Sequence, residues 1–145
     1  MVHKIAVVGL GYVGLPLAVE FGKKFTTVGF DTNETRIEEL SLGFDRTKEC
    51  SEQDINSSQK LTFSSETKEL SLCDIFIIAV PTPINEDKSP NLNHLIAACK
   101  TIGPLISRGD IIIFESTVYP GATEEVCVPE LELASGLEFN VDFFC

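Results

Sequence analysis

Residues 4 to 31 carry the pattern that most restricts what this chain can fold into. Ile5 to Val8 is an apolar run of the kind that forms a buried parallel strand. It leads directly into Gly9-Leu10-Gly11-Tyr12-Val13-Gly14, and an apolar helical pattern follows through Phe21. A second short apolar run, Thr27 to Phe30, ends at Asp31. Strand, glycine turn, helix, strand and acidic residue at this spacing form the dinucleotide-binding fingerprint. The chemistry explains the residue types. Gly9 permits a tight turn out of the strand, Gly11 lets backbone approach a pyrophosphate, and Gly14 lets the helix lie close on the strand. The helix start offers unpaired N–H groups and a positive dipole end to phosphates. Asp31 is placed to accept hydrogen bonds from the adenosine ribose hydroxyls and to repel a 2′-phosphate, which favours NAD over NADP. A glycine-rich turn in a helical protein would leave the three spaced glycines and Asp31 unexplained.

The remaining chain continues the alternation. A helix is expected from about Tyr12 to Lys24, with Pro16 in its early turns. Thr32 or Asn33 caps the next helix, which carries Ile37 and Leu40 and stops at Gly43. Residues 44 to 60 are polar and weakly patterned, so a surface loop with one short helix near Ser51 to Ile55 is expected, and no function is legible there. Leu61 to Ser64 is a short strand, Glu66 to Leu72 a short helix, and Asp74 to Val80 a buried strand. Asn91 caps a helix that Gly103-Pro104 ends or kinks. Ile111 to Phe114 is a buried strand, a helix from Ala122 to about Leu133 follows, and Phe139 to Phe144 is a last strand. The fold class is therefore α/β: a Rossmann-type doubly wound sheet of about six mainly parallel strands with helices on both faces. Residues 1 to 145 are expected to form one such domain.

In a doubly wound sheet the carboxyl ends of the strands border the ligand crevice. Three places there carry polar chemistry. Arg36 lies about one turn into the second helix, where it either reaches the adenosine or pairs with Glu39 or Glu34 on the surface. Thr82, between Pro81 and Pro83, either bonds cofactor phosphate or ribose or is a plain turn threonine. Glu115-Ser116-Thr117 ends the Ile111 to Phe114 strand, and Thr117 is placed near a nicotinamide ring.

Composition narrows the classes. The net charge of −11 argues against nonspecific nucleic-acid binding and against an anionic membrane surface. It does not argue against a nucleotide, because a glycine loop holds phosphate with backbone groups. No apolar run reaches the roughly 18 residues of a transmembrane helix, and the amino terminus enters a strand at once, so a cytoplasmic protein without a secretory signal is expected. The five cysteines are odd in number and form no CxxC, so free thiols and no zinc site are expected. His3 is read as a solvated terminal residue and His94 as a helix-surface residue.

Four stretches together resemble one family: residues 4 to 16, Gly29-Phe30-Asp31 with Arg36-Ile37, Val80-Pro81-Thr82-Pro83, and Glu115-Ser116-Thr117-Val118-Tyr119-Pro120-Gly121. The chain is similar, over nearly its whole length, to the amino-terminal portion of UDP-sugar 6-dehydrogenases, the group containing UDP-glucose and GDP-mannose dehydrogenases. Pro81-Thr82-Pro83-Ile84-Asn85, Thr117 to Gly121 and Thr123 to Pro129 resemble the branch acting on UDP-N-acetylhexosamines for capsule and O-antigen synthesis. The resemblance implies NAD contacts from Gly9, Leu10, Gly11, Tyr12, Val13 and Gly14, with Val13 at the pyrophosphate. It implies Asp31 and Arg36 at the adenosine, Thr82 near ribose and phosphates, Thr117 near the nicotinamide, and further cofactor contacts from Val80, Pro81, Glu115 and Ser116. Thr117 is also implied beside the catalytic water, which makes it the one catalytic candidate here. The family pattern continues past Cys145 into the substrate domain, which carries the cysteine nucleophile and its assisting residues. Cys145 itself is read as structural. The implied parent reaction oxidises a sugar C6 hydroxymethyl to a carboxylate with two NAD, through a thiohemiacetal and thioester on that cysteine. The whole enzyme is implied to be a homodimer. A chain of this length is expected to bind NAD, to turn over no substrate and to be monomeric.

Two other readings share parts of the pattern. A Rossmann module that only senses NAD(H) would need no strand-end hydroxyl such as Thr117. An S-adenosylmethionine methyltransferase also pairs a glycine loop with an acidic residue, but the full Gly9 to Gly14 pattern fits a dinucleotide better.

Overall fold

The computed structural model describes residues 2 to 145. Five strands form one parallel sheet in the order β3-β2-β1-β4-β5. They are β1 (Ile5–Val8), β2 (Thr27–Phe30), β3 (Leu61–Ser64), β4 (Ile75–Ile78) and β5 (Ile111–Phe114). The register is level: Val8 stands opposite Phe30 on one side and Ile78 on the other, and Ile78 stands opposite Phe114. All strand ends therefore open on the same edge. The order reverses between β1 and β4, and this switch point is where open sheets of this kind leave a crevice.

The inner strands β2, β1 and β4 are apolar because both faces are covered, whereas β5, expected to be buried, lies at the sheet edge and leaves Ile111 and Ile113 exposed. Ile5 and Val7 point into one core with Leu15, Ala18 and Val19 of helix α1 (Gly14–Gly22). Ala6 and Val8 point into the other, with Leu95, Ala98 and Cys99 of α4 (Asn93–Ile102) and Leu131 of α5 (Val128–Ser135). Helix α2 (Glu34–Ser41) starts where the Asn33 side chain accepts from the Arg36 N–H, and α3 (Glu52–Ser57) starts in a Ser51/Asp54 capping box. The expected helix ahead of β4 is a 3₁₀ segment, Thr67–Leu72. Gly103–Leu105 is a 3₁₀ turn at the Gly103-Pro104 break, and a π turn, Thr123–Cys127, leads into α5.

Two expectations need correction. The expected sixth strand is absent, because residues 138 to 143 fold back on themselves. Asn140 adopts a left-handed φ of 63°, and the Asp142 carboxylate accepts from the Glu138 N–H at 3.0 Å. Only Phe144 reaches β5, accepting from the Ile112 N–H at 2.8 Å, while Phe143 turns fully into the core. The first helix begins at Gly14 rather than Tyr12, since residues 11 to 13 belong to the turn. His3 is exposed, as expected, and its Nδ1 lies 2.6 Å from Asp74 Oδ2, tying the start of β1 to the start of β4. All five cysteines are unpaired, and Cys145, read as structural, is exposed. Among the described residues no helix is long and apolar enough to cross a membrane.

Candidate functional site

The turn after β1 is shaped by contacts that leave no room for side chains. Gly9 has φ +96°, and a Cβ there would lie 2.9 Å from the Ala79 carbonyl oxygen. A Cβ on Gly14 would lie 1.7 Å from the Gly9 carbonyl oxygen. Gly11 is different, because a Cβ there would meet nothing within 4 Å. Its missing side chain serves no internal packing, so the space above it is open to a ligand. Helix α1 begins three residues on, so the positive end of its dipole lies close to this opening.

Asp31 closes one side. Its Oδ2 accepts from the Leu10 N–H at 3.0 Å and its Oδ1 from the Asn33 N–H at 2.9 Å. A carboxylate has about four acceptor positions, so two remain for hydroxyl groups from outside. The residue thus both fastens the glycine loop to the end of β2 and faces the crevice.

Arg36 does not pair with Glu39 or Glu34. It is buried, and its Nε and Nη2 donate to the Leu10 carbonyl at 2.9 and 2.7 Å while Nη1 donates to Asp45 Oδ1 at 2.8 Å. It supports the glycine loop from beneath. Asp45, in the stretch where no function was legible, collects further donors from the Thr47 N–H and hydroxyl and from the Glu49 and Cys50 N–H groups. Burial alone would push its carboxyl up. The bonds from Thr47, Cys50 and Arg36 outweigh this and hold it down at about 2. One carboxylate therefore folds residues 45 to 50 against the site.

These elements enclose a cleft of about 410 Å³ at the β1/β4 switch point. Of the residues singled out in the sequence, Gly9, Leu10, Gly11, Asp31, Arg36, Val80 and Pro81 line it. Tyr12, Val13 and Gly14 lie outside this lining, and Tyr12 and Val13 are exposed. Thr82, Glu115, Ser116 and Thr117 also lie outside it and form a second group at its edge. There the Thr82 hydroxyl donates to the Thr117 carbonyl at 2.8 Å and the Ser116 hydroxyl to the Val80 carbonyl at 2.6 Å. The two strand-end loops are thus stitched together.

The sequence reading missed Arg46, Thr47, Thr101 and the site position of His94, all of which line the cleft. The signal for the last two was available: a helix after β4 in this topology runs beside the switch point. Nothing in the pattern of residues 44 to 50 signalled the first two. The open space over Gly11, the helix start and the partly unfilled Asp31 carboxylate suit the diphosphate and adenosine ribose of a dinucleotide.

Comparison with known proteins agrees with this geometry. Residues 3–144 match the family model described as the NAD binding domain of the UDP-glucose/GDP-mannose dehydrogenase family. The chain is 57% identical over 141 residues to a UDP-N-acetyl-D-glucosamine 6-dehydrogenase of Pseudomonas aeruginosa, covering 97% of this chain and 33% of that protein. It is 54% identical over the same length and shares to a UDP-N-acetyl-D-glucosamine 6-dehydrogenase of Salmonella typhi. Among solved structures, the UDP-D-ManNAc dehydrogenase of Pyrococcus horikoshii superposes with a TM-score of 0.88 at 35% identity, over 97% of this chain and 34% of that one. The chain thus spans about a third of the length of the curated relatives it matches. With its glycine loop, level parallel strands and matched sequence, the chain belongs to the UDP-glucose/GDP-mannose dehydrogenase family, of which it is the NAD-binding domain.

Proposed function

We propose that residues 1 to 145 form the cofactor domain of a nucleotide-sugar 6-dehydrogenase. The whole protein would oxidise the C6 hydroxymethyl of a UDP-N-acetylhexosamine to the uronic acid, for surface polysaccharide synthesis. The observation that carries the reading is the cleft at the β1/β4 switch point, where open space over Gly11 adjoins the Asp31 carboxylate. NAD, when bound, supplies the hydride acceptor. The backbone N–H groups of the turn from Gly11 to Val13, and of Gly14 at the start of α1, would hold its diphosphate, with Val13 beside it, and Asp31 would accept from the adenosine ribose hydroxyls. Arg36 would act from below, keeping the Leu10 peptide in place. Val80, Pro81 and Thr82 would border the ribose and phosphates, and Glu115, Ser116 and Thr117 would border the nicotinamide. The Thr117 hydroxyl would hold the water used in catalysis. The carboxyl-terminal two thirds found in the relatives would bind most of the UDP-sugar and supply the cysteine nucleophile. The reading extends to a cytoplasmic homodimer for the whole protein.

The test is a spectrophotometric assay of the whole protein with NAD and UDP-N-acetylglucosamine. About two NADH per sugar are expected, as for an alcohol taken to an acid. NAD binding without NADH formation on any UDP-sugar would favour an NAD(H)-sensing module instead.

A further inference from the structure

Two arginines, Arg36 and Arg46, border the cleft beside the end of β2, where Asp31 also lines it. An arginine at this place is what accommodates a 2′-phosphate in folds of this kind. Both are already engaged by carboxylates. Arg36 is buried and fixed by the Leu10 carbonyl and Asp45. Arg46 differs, because its side chain is 61% exposed and its backbone is carried to the cleft by the segment that Asp45 anchors. Its guanidinium is gripped by both oxygens of Glu39, Nε donating to Oε2 at 2.9 Å and Nη2 donating to Oε1. This is the fork-to-fork arrangement in which a guanidinium would otherwise take a phosphate. Arg46 holds the Glu39 carboxyl below the usual carboxylate range, so Glu39 is charged at neutral pH.

We propose that Glu39 is a specificity-determining residue that occupies the Arg46 guanidinium and so denies the cleft a cation for a 2′-phosphate. Selection of the unphosphorylated adenosine then rests on two carboxylates. Asp31 repels the extra phosphate directly, and Glu39 removes the group that would attract it. The inference rests on the NAD reading of the cleft. Without the Glu39 charge, Arg46 is free to meet a dianion.

The test is a calorimetric titration with NAD and with NADP, at one fixed ionic strength, of the wild-type chain, Glu39→Gln, Arg46→Met and the double variant, with thermal melts beside them. Glu39→Gln is expected to leave NAD affinity within about twofold and to raise NADP affinity roughly fivefold, the scale of an exposed charge pair. Arg46→Met alone is expected to give no gain in NADP affinity, and in the Glu39→Gln background to abolish the gain. Glu39→Ala, a second route to the same release, is expected to repeat the result. Unchanged NADP affinity in both Glu39 variants, or a gain that survives Arg46→Met, overturns the inference while NAD binding stands. A folded wild-type chain that binds no NAD overturns the cofactor reading and this inference with it.

Discussion

The turn from Gly9 to Gly14 and the segment from Phe44 to Cys50 are joined through one side chain, Arg36, which donates to the Leu10 carbonyl oxygen and to Asp45. They are built in opposite ways. The turn holds its shape because side chains are missing where backbone crowds backbone. The segment holds its shape because one side chain, Asp45, gathers the donors that its backbone would otherwise leave unpaired. The first kind of structure fails when a carbon is added, and the second fails when a charge is lost. A cleft walled by both is sensitive to both kinds of change.

The largest effect is expected from adding a carbon. Gly14→Ala places a Cβ 1.7 Å from the Gly9 carbonyl oxygen, and both partners are backbone. A loss of about 3 kcal/mol or more is expected from urea melts, with NAD binding lost as the turn shifts. A stability within 1 kcal/mol of wild type, as an estimate of experimental scatter and small repacking, would mean that the turn is held by something other than crowding.

Removing the charge comes next. Asp45→Ala leaves the buried Arg36 with only the Leu10 carbonyl, and a loss of about 3 kcal/mol is expected. The acid limb gives an independent reading. The folded Asp45 carboxyl lies at about 2, below its ordinary value of 3.8. The unfolded chain therefore takes up the proton first as pH falls. The stability Asp45 contributes is fully present above about 4 and is lost as pH drops toward 2. Urea midpoints followed through that window should fall less steeply in Asp45→Ala than in wild type, and equal slopes would count against the buried pair.

Asp31 belongs to both designs, since it fastens Leu10 and lines the cleft. Asp31→Ala is expected to weaken NAD about tenfold and to narrow its lead over NADP. An unchanged ratio of the two affinities would leave Asp31 a structural residue only. The smallest effect is expected at the other edge of the cleft. Thr82→Val removes the bond to the Thr117 carbonyl and should cost about 1 kcal/mol in thermal or urea melts. No change there would show that the two strand-end loops are held together without it.

What was legible in the sequence follows the same division. Local rules place the strands, the glycine turn, a helix cap at Thr32 or Asn33 and the short helix near Ser51, because each depends on neighbours in the chain; the structure makes Asn33 the cap. The short apolar runs and the fingerprint together also imply the parallel sheet. The role of Arg36 was open because its partners, Leu10 and Asp45, lie 26 and 9 residues away. Asp45 itself was invisible: an aspartate in a polar stretch has the same letter whether it is solvated or buried among five donors. The last segment was misjudged for a different reason. Phe139 to Phe144 has strand composition, but the left-handed Asn140 and the Asp142 acceptor turn it into a local coil. Thr82 was legible as a strand-end hydroxyl, while its bond to Thr117 depends on two loops 35 residues apart.

The most direct test of the central claim separates fold from site at Gly11, the one glycine of the turn whose space the protein leaves empty. The measurement is a calorimetric titration of the wild-type chain and Gly11→Ala with NAD, each with its thermal melt. The wild type is expected to bind NAD at a single site. Gly11→Ala is expected to melt as the wild type does, or slightly higher, and to bind NAD at least about tenfold more weakly. A wild type that melts cooperatively and takes up no NAD, or a Gly11→Ala chain that binds as tightly as the wild type, would contradict the account.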